Sequence, residues 1–565
     1  TTLSLNGLPD DYFIFLENGK RLYGDDTYAR INVAKIKRIE ILNGASSALY
    51  GTNAIGGVIN IITDDAKNAI NVSSDTRYAS KGRFTQSVNI DVNTGKFGSY
   101  TSYRRQQAEG WQLNPYEENS KTHELEETGK VASTGFYANT VNQKFTFDAT
   151  DKLSFYARGG YYDNKTRRPY EAYDYNILHE TFNYGIGAQY MINKGNYITA
   201  DCYADHFSSS YCFFKDNKTY NGKAGEEQVR KRTRNHNLSI KGIFKLGNRH
   251  KLSVGTEYIV DVLKSQTDNI AKEDAYTLAL FAQDEIKLLR NLQALIGVRY
   301  IYHENFKNHA TPNVALMYKP GKFNFRASYA AGFRTPTLSE LYATDIAKKN
   351  DRLTIGNLDL KPEKNNYFSL SAEYVHERFS VSVNAFYNNI RDMIDYNTIA
   401  TGDKAMEQYG HKEVRQRDNI AEAKVHGINV SANAYLGAGF NLSGGYTHLN
   451  TQDVELEQPI DKSIKNAYNI NAQWAHSWKI YRLNINLNGR INSKRFSKSY
   501  GYAPEYQLWD LNTRHSFNLK SVIIEPGFGM ENLFDYMDDR PYNSNYATLT
   551  PGRSFYISLS LKFKS

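Results

Sequence analysis

The chain has 565 residues and a formal net charge of +9, with 44 Tyr and 39 Gly but only 12 Pro and 2 Cys. Its mean hydropathy is −0.62, and a helical membrane protein is excluded because each spanning helix needs about 20 predominantly apolar residues. The positive charge favours anionic partners, but it is scattered and forms no basic helix or finger motif, so nucleic acid is not expected. A transmembrane β-barrel is still compatible, because each strand needs only about 9–11 residues and alternate side chains face a polar lumen.

The first 65 residues predict a small, compact, Gly-rich unit with buried strands at Tyr12–Leu16, Arg38–Leu42 and Val58–Ile62. The uncharged run ILNGASSALYGTNAIGGVINIIT is long enough for a spanning helix, but its four glycines weaken a helix by roughly 3–4 kcal/mol. We interpret it as a turn or short helix at SSALYG, a Gly-Gly corner and a buried strand. The chain opens within a pattern, so we expect an N-terminal part of this unit to be missing.

From about residue 70 onward, apolar and polar residues alternate in segments of about nine residues, such as Phe379–Tyr387 and Phe555–Phe563. This period of two predicts strands with one apolar and one polar face. We count 22 such segments, which begin near residues 70, 83, 97, 140, 153, 182, 197, 235, 251, 276, 292, 313, 323, 366, 379, 425, 439, 466, 480, 506, 521 and 555.

The linkers between these segments alternate strictly between short and long. Tight turns such as 93–96, 149–152 and 193–196 alternate with linkers such as 106–139 and 208–234. Outer-membrane barrels have short periplasmic turns and long outer loops, and barrels of about 22 strands carry a plug in the lumen. The sequence therefore predicts an all-β membrane protein: a 22-stranded antiparallel transmembrane β-barrel (residues 66–565) with an N-terminal plug domain (residues 1–65).

Five motifs give this chain a resemblance to a known family. They are LNGLPDDYFIFLENGKRLYG, RIEILNGASSALYGTNAIGGVINIIT, the pair GFRTPTLSELY and IGNLDLKPE, GMENLFDYMDDRPY, and PGRSFYISLSLKF. The first two resemble the plug, the pair resembles an outer-loop motif, and the last two resemble the final strands of TonB-dependent outer-membrane receptors. The resemblance spans the chain, although Lys564 and Ser565 follow the aromatic residue on which the family usually ends.

The resemblance implies a receptor in the outer membrane of a Gram-negative bacterium that imports a scarce nutrient. In the family, ligand binds between the outer loops and the plug apex, and TonB, driven by the inner-membrane proton gradient, pulls an N-terminal TonB box to open a path. That box is absent from the sequence. Outer-membrane lipid is a further expected partner, and because the outer loops are moderate in length we also consider a surface lipoprotein covering the ligand site. We expect no covalently bound cofactor.

The segment Leu22–Asn32 matches the position of an apical plug loop in the family. We therefore expect ligand-binding residues there, at Tyr23, Asp25, Asp26, Tyr28 and Arg30. The alternative is that Asp25 and Arg30 only pair with charges of the barrel wall.

Outer loops supply a second group of candidates, because Arg binds carboxylate or phosphate with two parallel hydrogen bonds and Tyr adds flat contact area. The expected residues are Arg167, Arg168 and Tyr170 in one loop, Arg104 and Arg105 at the start of another, Val229–Arg234 at the end of a third, and Arg334 and Tyr342 in GFRTPTLSELY. An anionic aromatic chelate suits this mixture. The alternatives are solvated loops, lipid contacts, and, for Arg334 with Glu340, a lock at the base of a loop.

The positions of the histidines bear on whether haem is the ligand. In similar haem receptors a histidine commonly lies within the paired motif, but Thr335–Asn357 and residues 1–65 contain none. Haem held between two histidines is therefore disfavoured, although Tyr can also ligate haem iron and a partner protein can deliver haem. The histidines that remain available in or near outer loops are His123, His179, His206, His303 and His411.

The first functional hypothesis is import of an iron chelate, either a ferric siderophore or haem, and the second is a cobalamin receptor of the same fold. A passive porin and an adhesion or enzyme barrel are further alternatives. We expect no enzyme activity and no metal site, since the sequence has no GxSxG, HExxH or CxxC motif. Cys202 and Cys212 fit either a disulfide or two free thiols.

Overall fold

The computed structural model describes residues 4–44, 51, 54–63, 69–119, 122–347, 351–498, 501–542 and 550–564. The turn or short helix expected at SSALYG lies, except for Gly51, outside the described residues. None of the helices in the described part of the chain is long and apolar enough to cross a membrane.

The leading unit contains β1 (Ser4–Leu5), β2 (Leu8–Pro9), β3 (Phe13–Glu17), β4 (Lys20–Arg21), β5 (Ile36–Asn43), β6 (Gly57–Thr63) and 3-10 turns at Asp10–Tyr12 and Val33–Lys35. Four strands form one sheet in the order β4-β3-β6-β5, with β3 and β6 parallel. The three strands expected from the sequence are therefore confirmed as β3, β5 and β6. The expected burial is wrong for β5, in which Ile39, Ile41 and Leu42 are 52%, 55% and 39% exposed. Gly57 is required where β6 begins, because its φ is +140° and a Cβ atom would clash with the Leu42 carbonyl oxygen.

The remaining strands are β7 (Ile70–Ala79), β8 (Arg83–Asn93), β9 (Phe97–Ala108), β10 (Tyr116–Glu118), β11 (Leu125–Glu127), β12 (Gly135–Asp148), β13 (Leu153–Arg167), β14 (Tyr175–Asn193), β15 (Asn196–Phe213), β16 (Glu227–Leu246), β17 (His250–Ser265), β18 (Ile270–Leu289), β19 (Leu292–His303), β20 (Lys307–Tyr318), β21 (Phe323–Arg334), β22 (Thr344–Ala347), β23 (Arg352–Ile355), β24 (Glu363–Val375), β25 (Phe379–Thr401), β26 (Glu413–Gly437), β27 (Phe440–Asp453), β28 (Asn466–Trp478), β29 (Tyr481–Asn492), β30 (Arg495–Ser497), β31 (Gly501–Ala503), β32 (Tyr506–Leu519), β33 (Val522–Glu531) and β34 (Ser554–Lys564). Two short helices, α1 (Leu338–Tyr342) and α2 (Gly402–Tyr409), lie in the loops.

Within the described residues, 22 of these strands close into one antiparallel barrel, in which β34 pairs with β7. The short pairs β10–β11, β22–β23 and β30–β31 belong to the long connections. Each of the 22 expected segments corresponds to one wall strand, so the predicted fold class is confirmed.

Several strands begin earlier or end later at the outer rim than the sequence predicts. β16 begins at Glu227 rather than near 235, and β26 begins at Glu413 rather than near 425. Below the rim, one strand face meets lipid and the other meets a polar lumen, which produces the alternation. Above the rim both faces meet water, so the strand continues without the alternation that would reveal it.

The leading unit lies inside the barrel, as predicted. Glu17 accepts a hydrogen bond from Arg158 of β13 at 2.8 Å, and Tyr12 donates to Glu363 of β24 at 3.2 Å. The Asn32 amide donates to Asn89 of β8 and Ser102 of β9 at 2.9 and 2.7 Å. Because its partners lie on widely separated wall strands, this unit is enclosed by the barrel, and we call it the plug.

The cysteines are both free. Cys202 and Cys212 lie on the same strand, β15, ten residues apart, so their Cα atoms are roughly 33 Å apart along the strand. A disulfide requires about 4.4–6.8 Å. Because β15 is extended, Cys202 and Cys212 are two free thiols and not a disulfide, which were the two alternatives left open by the sequence.

Candidate functional site at the plug apex

Arg30 anchors the plug apex to the barrel wall. Its Nη1 lies 3.1 Å from Asp205 Oδ2 of β15, and its Nη2 donates to the carbonyl oxygens of Tyr23 and Asp25, the latter at 2.8 Å. Arg30 and Asp205 are only 6% and 1% exposed. The Arg30 guanidinium therefore fixes the loop that precedes it and ties this loop to β15.

Asp26 makes a second connection to the wall. Its Oδ2 accepts hydrogen bonds from Asn164 Nδ2 at 3.0 Å and Tyr162 OH at 3.4 Å, and lies 2.8 Å from His179 Nδ1. Burial acts to raise the pKa of the Asp26 carboxyl, but the hydrogen bonds from His179 and Asn164 outweigh burial and lower it below its ordinary value. The apex is thus held against β13, β14 and β15 by an ionised carboxylate.

The other three apex candidates have different environments. The Tyr23 N–H donates to Asp205 Oδ2 at 3.0 Å, and burial raises the pKa of the Tyr23 hydroxyl. Asp25 is exposed, and Tyr28 is 42% exposed with its ring 6.3 Å from that of Phe15. Among the five expected apex residues, Arg30 and Asp26 hold the plug, Asp25 and Tyr28 are exposed, and Tyr23 lines the cavity described below.

A cluster of tyrosines and arginines lies at the outer ends of β13–β16. Tyr175 stacks on Tyr211 with ring centroids 4.0 Å apart, and Tyr220 meets Tyr211 edge-on at 5.1 Å. The Arg230 guanidinium lies 4.9 Å from the Tyr220 ring and 5.3 Å from the Tyr211 ring. The Arg168 guanidinium lies 3.4 Å from the Tyr173 ring and 5.1 Å from the Tyr175 ring. We call these six residues the aromatic wall.

The aromatic wall faces the lumen. Tyr175 shares a face of β14 with His179, and Tyr211 shares a face of β15 with Asp205, because side chains alternate along a strand. His179 and Asp205 both contact the plug apex. The wall therefore stands on the same side of the barrel as the apex anchors and nearer the outer rim.

The remaining residues of this loop are more exposed. Arg167 is exposed at the end of β13, and Tyr170 is 57% exposed, stacked on Phe214 at 5.2 Å and covered by Lys215 Nζ at 3.8 Å. Arg168 and Tyr170, expected together, are thus part of one aromatic and cationic region, and Arg167 is exposed next to it in the chain.

Arg104 and Arg105 were expected to begin an outer loop, and this is wrong. Both lie inside β9, where Arg104 points inward and donates to the Ile31 carbonyl oxygen at 2.6 Å. Arg105 has its guanidinium 4.9 Å from the Tyr137 ring. The segment Val229–Arg234 likewise lies within β16 rather than in the loop before it. In β16 the strand continues where its alternation fades.

Arg334 closes a buried network at the base of the loop that carries α1. Its Nη1 and Nη2 donate to the two Glu340 carboxylate oxygens, each at 3.0 Å, and Nη2 also donates to Glu363 at 2.6 Å. Burial acts against ionisation of Glu340, but the Arg334 charge lowers its pKa below the ordinary value. This is the locking arrangement given above as the alternative for Arg334. Tyr342 packs against an apolar cluster containing Leu341 in the same loop.

A cavity of about 430 Å³ lies on the other side of the apex. Tyr23, Gly24 and Asp25 of the plug line it on one side and the wall strands β15–β19 on the other, and 335–339 and Leu341 contribute above Arg299 and His303. Two ion pairs border it, Lys20 with Asp201 at 2.8 Å and Arg299 with Glu257. The apex is thus anchored towards β13–β15, while open space separates it from β16–β19.

The five histidines that the sequence leaves available as ligands lie in different surroundings in the structure. His179 binds Asp26, His303 lines the cavity, and His206 lies on the outward face of β15 beside His236, with ring centroids 5.1 Å apart. His123 and His411 pair with Glu118 and Asp351 in outer loops, at 2.7 and 2.9 Å. Among the described residues, no group of three His, Cys, Asp or Glu side chains could hold a metal ion.

Sequence reasoning missed Asp205, Tyr211 and Tyr220. Tyr211 and Phe213 are two residues apart in SSSYCFF, which places both on one face if β15 continues to Phe213. Extending the strand past its last clear alternation would have revealed this face. No sequence pattern indicates the role of Asp205, because its partner Arg30 is 175 residues away in the chain.

A 22-stranded barrel that encloses its own N-terminal domain, with that domain's apex beneath aromatic and cationic loops, is typical of plugged receptors of the Gram-negative outer membrane. The family model "TonB dependent receptor-like, beta-barrel" matches residues 82–533, and "TonB-dependent Receptor Plug Domain" matches residues 1–58. The chain therefore belongs to the TonB-dependent receptor family.

Solved structures share the whole fold at low sequence identity. A mutant of the ferric enterobactin receptor PfeA from Pseudomonas aeruginosa has a TM-score of 0.83 and 17% identity, with 99% of this chain and 91% of that chain covered. The siderophore receptor PirA from Acinetobacter baumannii has a TM-score of 0.79 and 16% identity, with 99% of this chain and 91% of that chain covered. The FrpB iron transporter from Neisseria meningitidis has a TM-score of 0.77 and 14% identity, with 100% of this chain and 93% of that chain covered. At these identities the likeness concerns the fold.

Proposed function

We propose that this receptor imports a ferric siderophore whose iron chelate is anionic and aromatic. The observation that carries the proposal is the aromatic wall, in which Arg168 and Arg230 lie against four tyrosine rings on the lumen side. An aromatic chelate can stack on tyrosine faces, and its negative charge is complementary to guanidinium groups. Three structurally similar proteins are named for ferric enterobactin, siderophore or iron transport, which supports the same ligand class.

In this proposal the ligand contacts the aromatic wall on one side and the plug apex below it. At the apex Asp25 and Tyr28 are exposed, and Tyr23 lines the adjoining cavity. The ligand-binding roles of Arg167 and Tyr170 are also retained, since both are exposed near the wall. Arg30, Arg104 and Arg334 hold the plug and loops in position instead, because their guanidinium groups donate to buried internal partners.

Transport then requires the plug to move. The family implies that TonB supplies the pull from the periplasmic side. Movement away from β16–β19 disrupts fewer apex contacts than movement away from β13–β15, because the cavity already separates the apex from that part of the wall. We propose that the ligand passes on the cavity side and that the barrel resides in the outer membrane of a Gram-negative bacterium, with its exposed apolar side chains in lipid.

Haem and cobalamin are the competing ligands. His179 is bound to Asp26 and cannot ligate haem iron without weakening the apex anchor. Cobalamin is nearly neutral, so it gives the arginines of the aromatic wall no charge to neutralise. Both ligands therefore fit the wall less well than an anionic chelate.

The test is ligand binding to the purified receptor, measured by quenching of intrinsic fluorescence with a ferric tris-catecholate, haem and cyanocobalamin. We expect the catecholate complex to bind, and Arg168→Gln with Arg230→Gln to weaken it by about tenfold or more, since charge-assisted hydrogen bonds contribute about 1.5–3 kcal/mol each. The matched control, Arg290→Gln with Arg378→Gln, removes the same charge from exposed periplasmic turns and leaves binding unchanged. Tight cobalamin binding that is unaffected by the first pair of substitutions would favour the cobalamin alternative.

A further inference from the structure

Three tyrosines of the aromatic wall bring their hydroxyl groups together. Tyr175 of β14 and Tyr211 of β15 stack with ring centroids 4.0 Å apart and ring planes inclined by 23°. Side chains stand roughly perpendicular to a sheet, so two rings stacked between neighbouring strands point the same way and their hydroxyl groups lie side by side. Tyr220, from the loop between β15 and β16, meets the two rings edge-on at 5.7 and 5.1 Å. The three rings thus form one group on the lumen side of the barrel.

The hydroxyl groups of this group have no other protein partner. All three side chains are half-buried. Burial and the neighbouring Tyr175 phenol raise the pKa of Tyr220 above its ordinary value, which requires the two phenols to be close. Elsewhere in the part of the chain that the structure describes, no side chain or carbonyl oxygen hydrogen-bonds with these hydroxyl groups. The phenol oxygens are therefore available to a ligand that enters the lumen.

Arg230 is directed at the same group by an irregularity of its strand. It is the extra residue at a bulge in the pairing of β16 with β15. A bulge re-aims a side chain, and here the guanidinium lies 5.3 Å from the Tyr211 ring and 4.9 Å from the Tyr220 ring. Its Nη1 donates to Gln266 at 2.9 Å, but its Nε is buried and has no hydrogen-bond partner among the described residues. A positive charge and an unused donor thus face the phenols.

This combination suits a ferric ion. Tyrosine oxygen is an established ligand of haem iron, and a metal ion deprotonates the groups that coordinate it, because the anionic form is the one that donates. Nearby guanidinium groups favour the anionic form further, and Arg168, 5.1 Å from the Tyr175 ring, supplies a second positive charge. Such a site uses phenol oxygens and needs no cluster of His, Cys, Asp or Glu, which the described residues do not contain.

We propose that Tyr175 and Tyr211 coordinate the iron of the imported chelate directly, as two neighbouring phenolate ligands, while Tyr220 donates a hydrogen bond to them. This inference rests on the proposed function and narrows its ligand to ferric chelates that leave two coordination positions of the iron to water, such as complexes of tetradentate bis-catecholates. On binding, each of the two hydroxyl groups releases its proton to solvent and displaces one water molecule from the iron, which stays iron(III). Arg168 and Arg230 compensate the negative charge that the phenolates add.

The test compares the ferric complex of a tetradentate bis-catecholate with that of a hexadentate tris-catecholate, which leaves no position open. The full chain is produced with ring-deuterated tyrosine, and each complex is examined by resonance Raman spectroscopy within the phenolate-to-iron absorption. We expect tyrosinate bands that shift with the label for the bis-catecholate complex alone, together with the release of two protons per iron. The tris-catecholate complex should bind without these bands, because its iron has no position for a protein ligand.

Tyr175→Phe with Tyr211→Phe removes both hydroxyl groups and keeps both rings for stacking. The labelled bands should disappear, and affinity for the bis-catecholate complex should fall by about tenfold or more, since even a group that only supports a metal ligand contributes about 10–100-fold to metal affinity. Affinity for the tris-catecholate complex, measured by fluorescence quenching, should stay the same. The matched control is Tyr446→Phe with Tyr468→Phe, a second stacked pair with centroids 4.7 Å apart on the outward face of β27 and β28, which should change neither complex.

Three results would overturn direct coordination. They are a bound bis-catecholate complex without label-sensitive bands, an equal loss of its affinity in both double variants, and an equal weakening of both complexes by Tyr175→Phe with Tyr211→Phe, which would leave the hydroxyl groups only a hydrogen-bonding role. In each of these cases a bound tris-catecholate complex would still support the proposed function. If neither complex binds the unmodified chain, the proposed function and the coordination are both wrong.

Discussion

The two sides of the plug apex meet the barrel in opposite ways. Towards β13–β15, Arg30 and Asp26 reach Asp205, His179 and Asn164 through buried or half-buried polar contacts. Towards β16–β19, a cavity of about 430 Å³ lies between plug and wall. One side therefore holds the apex in register with the barrel, and the other leaves room for it to move.

This difference predicts that the two sides of the apex control different properties: one the stability of the plug in the barrel, the other the rate of ligand transport. Removing one partner of a buried ion pair costs about 3–5 kcal/mol, because the remaining charge stays buried without compensation. The contacts on the anchored side should accordingly determine how firmly the plug is seated. Changes on the cavity side should affect the transport rate with little effect on seating, and the following predictions test that division.

The largest effect is expected from Arg30→Met, which leaves Asp205 buried and unpaired. We expect the plug to be destabilised by about 3–5 kcal/mol, and steady conductance in planar bilayers to increase as plugs leave the lumen. The double variant Arg30→Met with Asp205→Leu should recover most of the loss, because an apolar pair replaces the ionic one.

The control for Arg30 is Arg38→Met in the plug strand β5. Arg38 also forms an ion pair, with Glu40 at 2.6 Å, but the two side chains are 54% and 38% exposed. An exposed pair contributes about 0–1 kcal/mol, so this variant should keep the barrel closed. Equal conductance in the Arg30 and Arg38 variants would contradict the assignment of Arg30 as an anchor.

A smaller effect is expected on the cavity side from Ala275→Trp. Ala275 of β18 is 4% exposed and lines the cavity, so an indole ring occupies space next to the apex. We expect TonB-dependent uptake of the ligand to slow by about tenfold, equivalent to 1.4 kcal/mol, while ligand affinity at the outer loops stays the same. Uptake is measured in cells that lack other receptors for the ligand.

Ala282→Trp is the matched control, because Ala282 lies on the same strand but opposite Val298 and Val254 on the outward face. It should transport at the unmodified rate. If uptake falls equally in both variants, the change reflects bulk on β18 rather than obstruction of the cavity.

The strands of the membrane zone could be predicted because lipid and lumen impose opposite polarity on neighbouring residues. Leu238 and Ile240 face outward while Asn235 faces inward, and this contrast is visible in the sequence. The same strand is invisible between Glu227 and Arg234, where it rises above the rim and both faces are polar. Arg104 and Arg105 were misplaced for a different reason, because Arg104 is buried against the Ile31 carbonyl oxygen of the plug, a partner that the alternation of β9 does not reveal.

The candidate site was less predictable because its contacts depend on how two domains fit together. Arg334 and Glu340 are six residues apart, so their contact was available to sequence reasoning as an alternative. Arg30 and Asp205 are 175 residues apart and meet only through the position of the plug inside the closed barrel. Tyr220 comes from a third segment, the loop between β15 and β16, and neither strand pattern predicts its contact with Tyr211.

The smallest predicted effect concerns pH and the Asp26 anchor. Because the pKa of Asp26 lies below its ordinary value in the folded protein, its contribution to stability is complete above about pH 4 and is lost as pH falls through the folded pKa. Asp26→Asn removes this charge while tolerating the left-handed backbone, whose φ is +57°. The difference in unfolding temperature between the unmodified chain and Asp26→Asn should therefore be greatest near neutral pH and should shrink towards pH 3. A pH trend equal to that of Asp10→Asn, which removes an exposed plug carboxylate, would show that Asp26 acts only through net charge and that the anchored side depends on Arg30 alone.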